Sequence, residues 1–169
     1  IKLYSGQLCD FADFKFEENH VRNVLENYKF TNNRMVTRSM VTWYAFTFED
    51  QQRPSSDRVS FDIEHIYAKE RHNKENKLEN PEKLEDLGNK ILLEKTINIR
   101  ASDYRFEDKK KYYMGYTDAK GKIHAASIIK EYRELVQKED FLEGDIEHRG
   151  RQINNKFIEY LDIEGLIRK

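Results

Sequence analysis

A carboxylate, a histidine and two asparagines recur in this sequence at a spacing that suits phosphodiester chemistry. Glu64 and His65 are adjacent in the run FDIEHI, Asn89 follows a glycine in LGNKILL, and Asn98 lies nine positions further on. An imidazole is largely neutral at pH 7 and can take a proton from water. Carboxylate and amide oxygens are ligands for Mg²⁺, which stabilises the charge that develops on a phosphate. The four residues therefore predict a metal-assisted hydrolytic site.

The segments that carry these residues predict a two-stranded ribbon followed by a helix. Apolar and polar residues alternate up to the Glu-His pair, which is typical of a strand. The Gly-Asn pair indicates a turn, and a short apolar run follows it. The expected ranges are 58–66 for the first strand, 90–93 for the second and 94–102 for the helix.

The period of the strand decides how the candidate side chains are presented. Neighbouring residues of a strand point to opposite faces, so we expect Glu64 and His65 to flank a bound phosphate. Asp62 lies on the same face as Glu64. It either supports the metal ligand from behind or has only a structural role.

Helices are expected on both sides of this ribbon, because apolar residues recur there at spacings of three and four. The expected helices cover 17–30, 35–48, 106–114, 125–136 and 145–161, and the strongly polar stretch 68–81 is expected to be an exposed loop. Three histidines have no evident partner and are expected at the surface, namely His20, His72 and His124. The prediction is a mainly helical α+β domain with an N-terminal helical part (1–56), a nuclease-like core (57–114) and C-terminal helices (115–169).

Composition narrows the classes of protein that the chain can represent. Its 30 basic and 31 acidic residues give a net charge of −1, so any contact with nucleic acid must come from a local patch. No apolar run reaches the roughly 18 residues that a membrane span needs. A single cysteine, Cys9, excludes a disulfide scaffold and predicts a reducing, cytoplasmic setting. The chain opens at Ile1, which we interpret as a fragment of a longer protein.

The runs DIEHI and LGNKILLEKTIN, with the stretch from Asn98 to Lys110, resemble an HNH nuclease of the ββα-metal group. More narrowly, they are similar to the C-terminal nuclease domain of GmrSD-type, modification-dependent restriction enzymes and related bacterial anti-phage proteins. The similarity covers most of residues 17–162. It implies His65 as general base, Glu64 and Asn98 as ligands of one Mg²⁺ or Mn²⁺ ion, and Asn89 as the residue that supports the loop and orients the histidine.

A basic and aromatic segment follows the predicted site directly. The resemblance implies that cations in this region, Arg105, Lys109 and Lys110, contact DNA phosphates, which lysine and arginine neutralise without reading sequence. The other interpretation is a solvated helix face. The resemblance also implies a nucleotide-hydrolysing domain, N-terminal to this chain, that controls the nuclease.

The resulting hypothesis is a metal-dependent endonuclease that nicks or cleaves DNA. Two alternatives stay open: a DNA-binding or regulatory module with an inactive site, and hydrolysis of RNA by the same residues. A second Glu-His pair, Glu147-His148, lies in a helical pattern without a following Gly-Asn turn and is interpreted as surface. Arg149 either packs inside the protein or contacts DNA.

Overall fold

The structure is a computed structural model that describes residues 14–52, 59–102 and 105–168. These residues form a mixed α/β fold, about half helical, with small two-stranded sheets. The helices are α1 (Glu18–Asn27), α2 (Met35–Ala45), α3 (Lys69–Glu75), α4 (Lys95–Ala101), α5 (Phe106–Met114), α6 (Tyr132–Leu135) and α7 (Glu143–Ile163). The strands are β1 (Phe16–Glu17), β2 (Phe61–His65), β3 (Lys90–Glu94), β4 (Tyr116–Thr117), β5 (Ile123–His124) and β6 (Ile167–Arg168).

The chain divides into two compact units, and α7 contributes residues to both. The smaller unit comprises 1–28 and 151–169. In its described part, β1 pairs in parallel with β6, and Arg22 donates to the amide oxygen of Asn155 over 2.8 Å. The larger unit, 29–150, contains all four residues of the predicted site. None of the described helices is both long enough and apolar enough to cross a membrane.

The centre of the larger unit is the antiparallel pair β2–β3, and α4 begins directly after it. The register places His65 opposite Lys90 and Glu64 opposite Ile91. All five residues of β3 are buried, so this strand is covered on both faces. This arrangement confirms the predicted order of strand, strand and helix.

A single apolar cluster holds the larger unit together and surrounds the β2–β3 pair. Its members come from the residues that directly follow β2, from β3, α4, α5 and α6, from the start of α7 and from two connecting segments. Residues of this cluster that are fully buried include Ile66, Tyr67, Ile91, Leu93, Ala101, Phe106, Tyr113, Phe141 and Ile146. The helices that flank the predicted site are therefore fixed by the same core as the strands.

The expected exposed loop at 68–81 is wrong, because part of it forms α3. Arg71 is 5% exposed and donates two hydrogen bonds of 2.7 Å to the carboxylate of Asp140. It also pairs with Glu75 one turn along the helix, over 3.0 Å. This polar helix is thus anchored by a charged residue, and an apolar pattern could not have revealed it.

The expected helix at 125–136 is also wrong for most of its length, since only α6 is helical. The carboxylate of Glu94 accepts from the Ser127 hydroxyl at 2.8 Å and from the Ile128 amide at 2.6 Å. The Ser127 amide donates to the carbonyl of Tyr113 over 2.9 Å. These bonds tie residues 127 and 128 to β3 and α5 in a non-helical conformation.

Candidate active site

Glu64 lies near the end of β2 and is 7% exposed. Its Oε1 accepts a hydrogen bond from the ammonium of Lys109, a residue of α5 that is completely buried. The same ammonium donates to the backbone carbonyl of His65 over 2.5 Å. Since a buried carboxylate needs a cation or hydrogen-bond donors, Lys109 gives Glu64 a charged partner and ties α5 to the end of β2.

The imidazole of His65 lies between polar groups, and its side chain is 15% exposed. Its Nε2 is 2.5 Å from the ammonium of Lys90, and its Nδ1 is 3.4 Å from the amide nitrogen of Asn32. Burial and then the positive charge of Lys90 lower the pKa of His65 to about 3. The ring is therefore neutral at physiological pH, and its Nε2 accepts from Lys90.

Lys90 is held in place by a carboxylate. It is completely buried, and its ammonium donates to Oε2 of Glu85 over 2.7 Å. Burial lowers the pKa of Lys90 to about 8, because the hydrogen bond to Glu85 offsets only part of the desolvation. Glu85 also pairs with Lys69 and lies 3.7 Å from Nε2 of His65. A chain of alternating charges thus ends at the imidazole.

Asn89 closes the long connection between β2 and β3. Its Oδ1 accepts from the amide of Tyr67 at 2.7 Å, and its Nδ2 donates to the carbonyls of Tyr67 and Leu84, each at 3.1 Å. Its own carbonyl accepts from the amide of Ile66 over 3.0 Å. Asn89 therefore holds the backbone just after His65, and the expected effect of Asn89 on the orientation of the histidine stays a prediction.

The turn before Asn89 is clamped from α7. Arg149 is 5% exposed and donates to the carbonyls of Leu87 at 3.2 Å and Gly88 at 2.8 Å. It also pairs with Glu131, which is 1% exposed, through an Nε to Oε1 bond of 2.8 Å. Of the two roles considered for Arg149, the structure shows the packed one.

Gly88 is required at this turn by close packing. A Cβ at this position would lie 1.9 Å from the carbonyl oxygen of Ile146 and 2.7 Å from the amide nitrogen of Gly150, both in α7. The turn therefore lies directly against the backbone of that helix, and no side chain fits between them.

The two other predicted residues near the strands, Asn98 and Asp62, have fewer described contacts. Asn98 lies in the middle of α4 and is partly buried, and its carbonyl accepts from the amide of Ser102 over 2.9 Å. Asp62 is partly buried on β2. That Glu64 and Asn98 share a metal ion, and that Asp62 supports them, stay predictions.

The three predicted DNA-contacting cations all have partners within the protein. Lys109 is bonded to Glu64, as described above. Arg105 pairs with Glu75 over 2.5 Å, and Lys110 donates to the carbonyl of Lys138 over 2.9 Å. Contact of these residues with DNA stays a prediction.

Sequence reasoning missed the polar groups that touch the histidine, namely Asn32, Glu85 and Lys90. The available signal was the strand register, because a residue that follows the Gly-Asn turn directly faces the end of the first strand. A lysine at this position of a buried strand needs an acidic partner, and Glu85 supplies it from five residues earlier.

The candidate site thus comprises a strand that ends in Glu64 and His65, Asn89 before a second strand, and a helix that carries Asn98. Residues 10–156 match the family described as GmrSD restriction endonucleases, C-terminal domain. The chain belongs to this family, which implies a nuclease domain of the restriction-endonuclease type. No curated protein and no solved structure matches the chain significantly.

Proposed function

We propose that this chain is a metal-dependent endonuclease of the ββα-metal (HNH) type that hydrolyses phosphodiester bonds in DNA. The observation that carries the proposal is the β2–β3–α4 unit, with Glu64 and His65 at the end of β2 and Asn98 on the helix that follows β3. Membership in a family of restriction endonucleases supports DNA as the substrate.

The donor atoms in this unit fit a hard divalent cation. Glu64 offers a carboxylate and Asn98 an amide carbonyl, and Mg²⁺ commonly takes few protein oxygens and fills its octahedron with water and substrate. No cluster of three or more His, Cys, Asp or Glu side chains that could hold a metal occurs in the described ranges. A site with two protein ligands does not need one. Mg²⁺ or Mn²⁺ held by Glu64 and Asn98 would stabilise negative charge on the phosphate and the leaving oxygen.

His65 is the group that removes a proton from water in the proposed reaction. Its Nε2 is the accepting atom, so the attacking water must take the place now held by Lys90 at that nitrogen. A bound phosphate raises the pKa of the ring, because its negative charge opposes the effect of Lys90. The hydroxide then forms a bond to phosphorus as the bond to the 3′ oxygen breaks; that oxygen takes up a proton from solvent, and His65 releases its proton to solvent.

A second candidate function is an inactive, DNA-binding module. One observation favours it: the carboxylate of Glu64 and the imidazole of His65 are both bonded to buried lysines. Binding of a DNA duplex that persists in EDTA, without cutting in Mg²⁺, Mn²⁺ or any other divalent metal, would establish this function in place of hydrolysis.

Conversion of supercoiled plasmid tests the endonuclease proposal. We expect the wild-type chain to nick or linearise plasmid in Mg²⁺ or Mn²⁺ and to stop in EDTA. His65→Ala should lower the rate by about 10²–10⁴-fold, the usual contribution of a general base. His148→Ala is the matched control, because it removes the exposed histidine of the other Glu-His pair and should leave cutting unchanged. Full activity of His65→Ala would refute the assignment.

The same assay on matched RNA and DNA duplexes separates the two possible substrates. We propose DNA, in the setting of a bacterial restriction or anti-phage system. Control of cutting would then come from a nucleotide-hydrolysing domain outside this chain. Preferential cleavage of RNA would overturn the substrate while leaving the catalytic residues in place.

A further inference from the structure

A small hairpin follows α5, and three lysines and an isoleucine on and beside it are exposed to solvent. We define the hairpin surface as Lys111, Tyr116, Lys120, Lys122 and Ile123. Strands β4 and β5 pair with Tyr116 opposite His124 and Thr117 opposite Ile123. The surface belongs entirely to the larger unit, which also contains the candidate active site.

The turn of this hairpin is held by one carboxylate. Oδ1 of Asp118 accepts from the amides of Lys120 at 2.9 Å and Lys122 at 3.0 Å. Gly121 adopts a φ of +78°, which the turn requires and glycine tolerates. The two lysines therefore project from a backbone of defined shape.

Stacking between aromatic rings supports the pairing of β4 and β5. The rings of Tyr116 and His124 stack with their centroids 4.6 Å apart, and Nε2 of His124 is 3.0 Å from Oδ2 of Asp118. The expectation that His124 is exposed and has no partner is thus wrong, because the strand pairing brings it onto Tyr116. The ammonium of Lys111 lies 5.0 Å from the centre of the Tyr116 ring, which places a third lysine beside the hairpin.

The charge of this region differs from that of the whole chain. Residues 111–130 contain four lysines and one acidic residue, whereas the chain carries a net charge of −1. The acidic residue, Asp118, is already bound by the turn and by His124. In the described parts of the chain, no carboxylate forms an ion pair with a lysine of the hairpin surface. These cations are therefore available to an external anion.

Ile123 adds an apolar component to the surface. Its side chain is 79% exposed and lies between Lys122 and His124 in the sequence. Exposed apolar groups among lysines suit nucleic acid, because lysines neutralise phosphates and apolar side chains contact base edges in the grooves.

We propose that the hairpin surface binds the phosphate backbone of duplex DNA and so holds the duplex on this domain. The proposal rests on the proposed function for the choice of DNA as the polyanion. It assigns phosphate contact to Lys111, Lys120 and Lys122, whereas the cations predicted from the sequence pattern are bonded within the protein.

The test is fluorescence anisotropy of a labelled DNA duplex with the full chain in EDTA, over a series of salt concentrations. The variant is Lys120→Ala/Lys122→Ala. The control is Lys29→Ala/Lys74→Ala, which removes two exposed lysines that are paired with glutamates in the same unit. The two double variants change the net charge by the same amount, and circular dichroism verifies that each variant is folded.

We expect the hairpin variant to weaken binding by at least about ten-fold near 0.1 M salt. The slope of log affinity against log salt should fall by about 1.8, which corresponds to two lost phosphate contacts. The control should bind within about two-fold of wild type, and Lys120→Arg/Lys122→Arg should retain affinity because it keeps both charges. Equal losses in hairpin variant and control would overturn the proposal, as would tighter binding to an RNA duplex of the same sequence.

The plasmid assay separates this inference from the proposed function. If wild-type protein cuts DNA and the hairpin variant binds normally, the hairpin assignment is wrong and the endonuclease assignment stands. If binding depends on the hairpin and no metal supports cutting, the hairpin assignment stands and the endonuclease assignment is wrong.

Discussion

The buried pair of Glu131 and Arg149 makes the sharpest test of how this domain holds its candidate site. Arg149→Met keeps the length and much of the volume of the side chain but removes its charge. Removing one partner of a buried ion pair costs about 3–5 kcal/mol, because the other charge is left without compensation. The exposed fraction is 1% for Glu131 and 5% for Arg149. We therefore expect the substitution to lower the free energy of unfolding by an amount near the upper end of this range.

The matched control is Arg151→Met, two positions further along the same helix, where the side chain is exposed. It should change the free energy of unfolding by less than about 0.5 kcal/mol. The double variant Glu131→Leu/Arg149→Met should recover at least about 2 kcal/mol of the loss, because it removes both buried charges. Urea unfolding followed by circular dichroism measures all four proteins.

The pH dependence gives the same prediction an independent check. Burial raises the pKa of Glu131 even with Arg149 present, and loss of the arginine raises it further. A carboxyl with a raised pKa in the folded state favours folding at low pH, and that contribution is lost as the pH rises through the folded-state pKa. The cost of Arg149→Met should therefore shrink as the pH is lowered from neutral toward the ordinary pKa of a glutamate side chain. A cost below about 1 kcal/mol, independent of pH, would refute this reasoning.

Three further predictions concern the surroundings of the site. Asn89→Ala leaves three backbone groups without their partner and should cost about 2–3 kcal/mol in urea unfolding; an unchanged midpoint would contradict the clasp. Gly88→Ala should cost about 3 kcal/mol because its Cβ meets α7 at 1.9 Å, whereas Gly144→Ala meets nothing within 4 Å and should not destabilise the protein. Asp140→Asn should destabilise at neutral pH, and its difference from wild type should vanish in acid unfolding curves. The hydrogen bond from Arg71 lowers the pKa of Asp140, so this stabilisation is lost as the pH falls through that lowered value.

The order of strand, turn, strand and helix was predictable because its signals are local. Alternation before His65, the glycine at 88 and the apolar run after it all act within a few residues. The bonds of Asn89 to Tyr67 hold the backbone that follows His65, and the role that the family resemblance implied for Asn89 stays a prediction.

Other parts were not predictable because their causes are distant in sequence. Helix α3 is held in place by the hydrogen bonds of Arg71 to Asp140, which lies 69 positions away in the sequence. The composition of α3 alone does not indicate this contact. The contact of Lys90 with His65 depends on strand register and on the acid at Glu85. Pattern arguments treat lysine as a surface residue, which is the common case and fails for Lys90.

The clasp formed by Asn89 has an evolutionary consequence. The two ends of the segment between β2 and β3 lie side by side, because Ile66 and Tyr67 at its start are hydrogen-bonded to Asn89 at its end. We call this point the neck of the segment. Loop length adds little entropic cost, so the exposed positions 79–82 of this segment, beyond the neck, can change in length without moving the end of β2, whereas Arg71 and Glu85 are held by Asp140 and Lys90. We therefore expect insertions and deletions in this domain to be tolerated at those exposed positions and to be destabilising on either side of them.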